Sequence, residues 1–524
     1  MVAPANGNEF PRPAGTPADV DIKGEARSPV TDPTLGIPVK NAARIPARHR
    51  LVAVGDSITH GFQSLAISKT NLSWPAIVAH QLGLIDELGA AATPQFRFPT
   101  YDGYGGLPFN LEYCIRGMLE RFGQLSLVEA PAAVLSLAHL TWDIKHWWTH
   151  DADATWKPDP GLMHNLAVYS YDVQAAYTRN LELIEAAIAS HSLKDLLKPT
   201  VPNDVDRAAR RVFANADSLM TLVDIAQVHS EQGGIETLVV ALGSNNVLDV
   251  VVGLNYLWAT DEASRKHGRA WSPDFFAADW APLIAKITNL SMNNVNHVIL
   301  ATVPHVTIAP NLAATGERLR PDSRYYQYYT HYWLRDKFDP DCDPYLTGDQ
   351  ARAIDSAIDQ YNEIIVDSVR TARNNGLDWY ILEMSGLLDR LAYKRYLKDE
   401  AAPARPSWWA EVGAYQLPIP LANLDPVPDT RFFETANGGR VGGGLIALDG
   451  IHPTTIGYGI LAQEVIRVME AAQVEFPGSA DIDFGKLLQA DSLVSNPPDT
   501  ITPDFQIIGW LNEHLDLAKA LLRI

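Results

Sequence analysis

Residues 51 to 61 read Leu-Val-Ala-Val-Gly-Asp-Ser-Ile-Thr-His-Gly. The four apolar residues have the length and character of a short buried strand. They end at Gly55, and Ser57 follows two residues later. This order places a hydroxyl at the carboxyl end of a strand, where open α/β sheets hold their ligands.

Further apolar runs extend the pattern. Strands are predicted over 51–55, 96–100, 237–243, 297–303 and 378–383, with helices between and after them. Ile358, Tyr361, Ile365 and Val369 recur at helical spacing and predict a helix from Asp355 to Ala372. A similar stripe predicts another from Thr455 to Ala472. Five parallel strands joined by right-handed crossovers give a doubly wound, flavodoxin-like three-layer α/β/α sandwich with large insertions. The run Pro131 to His139 also reads as a buried strand, either in place of 237–243 or in addition to it. The later run is preferred because only it ends in Gly and Asn.

The flanking and intervening segments suggest how the chain is organised. Residues 1–45 are rich in Pro, Gly and Ala without a sustained period, and read as an extended N-terminal arm. A main domain is expected over 46–472, with insertions at about 140–235, 305–350 and 386–447, each longer than ordinary connections. Residues 473–524 read as a C-terminal helical extension ending in an amphipathic helix from Leu511 to Ile524. The insertions carry aromatic clusters: Trp142, Trp147 and Trp148, then Tyr325 to Trp333, then Trp408 and Trp409. Such rings either line a substrate wall or form the insertions' own cores.

Composition narrows the function. The 62 acidic residues exceed the 42 basic ones, giving a formal net charge of −20. That excess disfavours nucleic-acid phosphates and anionic membrane surfaces, both of which call for basic protein surface. No apolar run approaches the roughly 18 residues that an integral membrane segment needs. The start, Met1 to Asn8, lacks the basic and apolar regions of a signal peptide, so a cytoplasmic protein is expected. Cys114 and Cys342 are the only cysteines, either buried thiols or one bridge. They offer no Cys-based metal site, and no metal or cofactor is expected.

Two later runs supply the partners Ser57 needs. Residues 237–246 form an apolar run into Gly243-Ser244-Asn245-Asn246, and residues 449–453 read Asp-Gly-Ile-His-Pro. A serine hydroxyl attacks poorly at neutral pH without an adjacent base. His452 is the candidate base, because an imidazole ordinarily titrates near 6.5. Asp449 would hold that imidazole in the useful tautomer and stabilise its cation. The spacing of three lets one loop present both side chains, and the His452-Pro453 step favours an extended His with a helix just beyond.

In combination these blocks resemble the SGNH hydrolases, the GDSL family of esterases and lipases. Gly55-Asp56-Ser57 is similar to the family's first block, Gly243-Ser244-Asn245-Asn246 to its Gly-x-Asn-Asp block with Asn246 in place of Asp, and Asp449 to His452 to its final Asp-x-x-His block. The best match to the family's loop glycine lies in Gly103-Tyr104-Gly105-Gly106. The resemblance implies a serine esterase or lipase-like hydrolase acting on a small-molecule, glycan or lipid ester. Its catalytic residues would be Ser57, Asp449 and His452. Its oxyanion hole would be built from the Ser57 and Gly106 N–H groups and the Asn245 side-chain amide. An acyltransferase using the same acyl-enzyme, or a binding protein on an inactive scaffold, are the competing readings. Asp56, His60 and His305 are expected to serve structure.

Overall fold

The computed structural model describes residues 10–40, 44–122, 130–190, 201–398 and 404–498. Its centre is a five-stranded parallel sheet. In chain order the strands are β1 (His49–Gly55), β2 (Asn165–Ala167), β3 (Ile235–Ala241), β4 (Val295–Ala301) and β5 (Trp379–Leu382). Their spatial order is β2-β1-β3-β4-β5. The winding therefore reverses beside β1, and in a sheet of this kind the ligand crevice opens at the strand carboxyl ends on either side of that reversal.

The strands read as continuous apolar runs because both faces are covered. Val52, Val54, Leu238, Val240, Val298 and Leu300 point into one core, shared with helices α3 (Leu222–Glu231), α5 (Pro273–Asn294) and α6 (Gly348–Asn374). The alternate residues Leu51, Ala53, Val239, Ala241, Ile299 and Ala301 point into the other, shared with the helix Trp74–Gln81 and with α7 (Thr455–Ala471). The stripe Ile358, Tyr361, Ile365 and Val369 is fully buried on α6. That helix starts earlier than its apolar stripe, because Thr347 and Gln350 form a capping box ahead of it.

Three expectations are corrected. Residues 96–100 form no strand: Phe96 and Phe98 give the alternation by burying their rings in the second core. The edge position belongs instead to β2, whose lead-in is tied to β1 by the Ala53 N–H to His164 O bond of 2.9 Å. The run Pro131 to His139 lies in a helix, Ala130–His146; an apolar run alone does not distinguish the two conformations. The segment 140–235 is no simple insertion, because β2 and α3 of the central frame both lie within it.

Residues 10–40 contain neither helix nor strand. The Lys23 N–H donates to Ser356 on α6, the Arg27 guanidinium grips the Glu383 carboxylate, and the Ile381 N–H of β5 donates to Pro33 O at 3.0 Å. This segment thereby occupies hydrogen-bonding groups on the outer strand, which would otherwise offer a pairing edge. Residues 305–350 hold a small antiparallel sheet of Leu312–Arg318, Tyr326–His331 and Leu346–Thr347. Tyr325 and Tyr329 of the aromatic run there are buried. Beyond α7, the helix Phe484–Ala490 packs back on it, while the expected helix from Leu511 to Ile524 lies outside the described residues. Among the described residues no helix is long and apolar enough to cross a membrane. Cys114 is buried and Cys342 exposed, and both are free thiols.

Candidate active site

Ser57 sits where β1 ends. Gly55 must be a glycine, because a Cβ there would lie 2.3 Å from Thr59 Oγ1 and 2.9 Å from the Ala241 carbonyl. Asp56 caps the short helix α1 (Ser57–His60), its carboxylate accepting the Ile58 N–H at 3.1 Å. Burial pushes the Asp56 carboxyl up to about 6, against hydrogen bonds from Ile58 and Ser244.

The structure brings Ser57, His452 and Asp449 together. His452 Nε2 is 2.9 Å from Ser57 Oγ, and His452 Nδ1 is 3.0 Å from Asp449 Oδ2. The loop before α7 presents both residues. Asp449 Oδ1 accepts the Ile451 and His452 N–H groups, each at 2.9 Å, which fixes the loop around its own carboxylate. Burial alone would raise the Asp449 carboxyl; the His452 charge and these hydrogen bonds hold it below the ordinary value instead. Its other oxygen also accepts the Leu65 N–H at 3.1 Å. With that oxygen as acceptor, the hydrogen belongs on His452 Nδ1 and Nε2 is free to take a proton from Ser57.

Leu65 reaches Asp449 from the tip of a hairpin, Phe62–Gln63 paired with Ala66–Ile67. Phe62 packs on the His452 ring with centroids 4.7 Å apart. Both turn residues are left-handed, Ser64 at φ 54° and Leu65 at φ 61°, in a turn type that favours Asn and Gly. Ser64 is buried, and among the described residues its hydroxyl has no partner. Ser64→Gly removes both the strained side chain and the orphaned hydroxyl, and is expected to stabilise the protein by about 1 kcal/mol. A denaturation midpoint that falls in this variant contradicts that account of the hairpin.

Asn245 follows β3 and lines the same hollow as Ser57 and His452. One hydrogen of its amide is held by the Tyr171 carbonyl at 2.9 Å, leaving the other for a ligand. Asn246 is fully buried, and its side-chain oxygen accepts the Val173 N–H at 3.2 Å, so it fastens this loop to the one after β2.

Gly106 is not part of this arrangement. Its N–H donates to Gly103 O at 3.0 Å, its carbonyl accepts the Trp148 indole N–H at 2.8 Å, and it does not line the hollow. The residue in its expected place is Ser170, in the loop after β2. It lines the hollow and holds a left-handed φ of 62°, a conformation more usual for glycine. Among the described residues neither the Ser57 nor the Ser170 N–H has a hydrogen-bond partner. The sequence signal was Asn165-Leu-Ala-Val-Tyr-Ser170, a strand of three residues followed by a turn, too short for periodicity to mark.

The larger cleft lies elsewhere. It spans about 420 Å³ between Arg97, Trp147, Trp156 and Arg211, and Ser57, Asp449 and His452 do not line it. The hollow at Ser57 is about 60 Å³. Convergence of a nucleophile, a base and free amide donors marks a chemical site more specifically than volume does.

Three histidines cluster at the opposite, amino ends of the strands. His49 Nδ1 lies 3.0 Å from His164 Nε2, and His229 Nε2 donates to Met163 O at 2.7 Å. Their ring nitrogens come within 4.8 Å of one another, close to the spacing of a metal site. The Arg97 N–H, however, donates to His164 Nδ1 at 3.0 Å. Neutral His164 therefore carries its hydrogen on Nε2, the atom a metal would need, and the donor set fits a hydrogen-bonded stack of neutral rings.

Burial lowers all three, His49 to about 4, and lowers His60 to about 3. His60 is held by Tyr101 and the Tyr169 N–H. His305 goes the other way: despite burial, Asp389 and Asp359 on its two nitrogens raise it to about 10. The lowered groups stay neutral in the fold, while the unfolded chain protonates them near 6.5. The stability these histidines contribute is therefore complete above about pH 6.5 and is lost as pH drops toward their folded values, partly offset by Asp56, whose raised carboxyl favours the fold as pH falls. His60, fully buried, accounts for about 3 kcal/mol of loss at pH 4. Urea midpoints across pH 7 to 4 check this, and a midpoint constant over that range contradicts it.

Comparison with protein-family models, with curated proteins and with solved structures finds no match to this chain.

Proposed function

We propose that this chain is a serine hydrolase of carboxylic esters, of the SGNH type, working through a covalent acyl-serine. The observation that carries this reading is the unbroken path from Ser57 Oγ through His452 to Asp449, at 2.9 and 3.0 Å, at the reversal point of the sheet.

His452 Nε2 takes the Ser57 proton as Oγ bonds to the ester carbonyl carbon, and the carbonyl π pair moves onto oxygen. The Ser57 N–H, the Ser170 N–H and the free hydrogen of Asn245 are the candidate donors to that oxyanion, charge stabilisation that is usually the largest catalytic contribution. Collapse breaks the bond to the alcohol oxygen, which receives the proton from His452. Water then attacks the acyl carbon, giving a proton to His452, and Ser57 leaves with that proton restored. Asp449 remains ionised and stabilises the imidazolium at each stage.

The test is hydrolysis of 4-nitrophenyl acetate by the full chain, followed by release of 4-nitrophenolate. Turnover well above the uncatalysed rate is expected; a rate no greater than buffer contradicts the reading.

A further inference from the structure

The same hollow carries a statement about substrate, which rests on the ester-hydrolase reading. Around Ser57 it is walled by Phe62, Leu65, Tyr169, Leu248, Val252 and Ile451. Its space of about 60 Å³ takes only a few non-hydrogen atoms, and it opens to solvent. An acetyl or propionyl group fills such a space; the tail of an octanoyl group extends beyond its walls. The walls are fixed by the machinery itself. Phe62 packs on the His452 ring, Leu65 donates its N–H to Asp449, and the Tyr169 N–H is bonded to buried His60. Changing those residues therefore disturbs the catalytic residues, while Leu248 and Val252, which also line the hollow, belong to a separate five-residue helix.

Charge adds a second restriction. Asp249 lines the same hollow, and its carboxylate accepts the Gly268 N–H at 3.2 Å with His267 Nδ1 3.5 Å away. The protein around it carries a formal charge of −20. A negatively charged acyl group meets like charge at the point where a further negative charge develops on the oxyanion.

We infer that the site selects uncharged esters with acyl groups of two or three carbons, with Leu248 limiting chain length and Asp249 rejecting acyl anions. The experiment measures kcat/KM of the full chain for 4-nitrophenyl acetate, butyrate, octanoate and hemisuccinate. Acetate is expected to exceed octanoate by at least about 100-fold, since each methylene without a place in a pocket costs about 10-fold or more. Leu248 is only half-buried at the margin of the core, so Leu248→Ala is expected to keep the fold and to raise the butyrate-to-acetate ratio about 10-fold. Asp249→Asn is expected to raise the hemisuccinate-to-acetate ratio by a similar factor. Octanoate hydrolysed as efficiently as acetate, or ratios unmoved in both variants, overturns this proposal and leaves the ester-hydrolase reading standing. Absence of turnover for all four esters overturns that reading and the proposal with it.

Discussion

Ser57→Ala is expected to lower kcat for ester hydrolysis by about 10⁴- to 10⁶-fold, with the fold retained. The hydroxyl supplies the only bond to the acyl group, so nothing else in the site replaces it. Residual catalysis then reflects the oxyanion donors and binding alone. The side chain touches His452 Nε2 and fills little of the core, so the thermal midpoint should move by no more than a degree or two. Parallel measurement of kcat and of the unfolding midpoint separates the outcomes. Undiminished kcat removes Ser57 from the chemistry, and a collapsed midpoint makes its role structural.

The largest expected effect on stability lies behind the loop that carries Asp449 and His452. Arg395 and Asp355 form an ion pair buried almost completely from solvent. Thr307 and Tyr325 also donate to the Asp355 carboxylate, at 2.8 and 3.0 Å. Burial would raise the Asp355 carboxyl, but the Arg395 charge, with His305 and Arg324, holds it below its ordinary value. This network anchors the chain from His305 to Leu312, and the Asn311 N–H in turn donates to Gly450 O at 2.9 Å, bracing the loop that carries Asp449 and His452. Arg395→Met fills a similar volume but leaves the carboxylate buried without its guanidinium partner, and should cost about 3–5 kcal/mol at pH 7. In the native protein, stability from a lowered Asp355 is present above its unfolded value near 3.8 and lost below it. In the variant the carboxyl rises, so the deficit against the native protein should narrow as pH falls. Urea denaturation at pH 7 and pH 5 checks both points, and a deficit under 1 kcal/mol at pH 7 contradicts the assignment.

The sequence made the frame legible where hydrophobic burial is two-sided. Leu51 to Gly55, Thr237 to Ala241 and the core of β4 are apolar because helices cover both faces, and such runs announce themselves. The edge strand β2 was hidden for the same physical reason: three residues paired on one side only need no long apolar run. Phe96 and Phe98 imitated a strand because alternate burial in a loop and in a sheet produce the same pattern. Ser57, Asn245, Asp449 and His452 were legible because each follows closely on an apolar run, where polar residues are conspicuous. Ser170 was not, because its role depends on a backbone N–H and a left-handed φ, neither of which requires a particular side chain. Gly106 has the left-handed backbone sought, φ 100°, but spends its N–H on Gly103.

The claim on which everything here depends is that Ser57 is an activated nucleophile. The direct measurement is treatment of the full chain with a fluorophosphonate, followed by peptide mass spectrometry to locate the adduct. One phosphonyl group per chain is expected, on Ser57, with labelling slowed by His452→Ala. An unmodified Ser57 under conditions that label another serine, or no labelling of the folded protein at all, would contradict it.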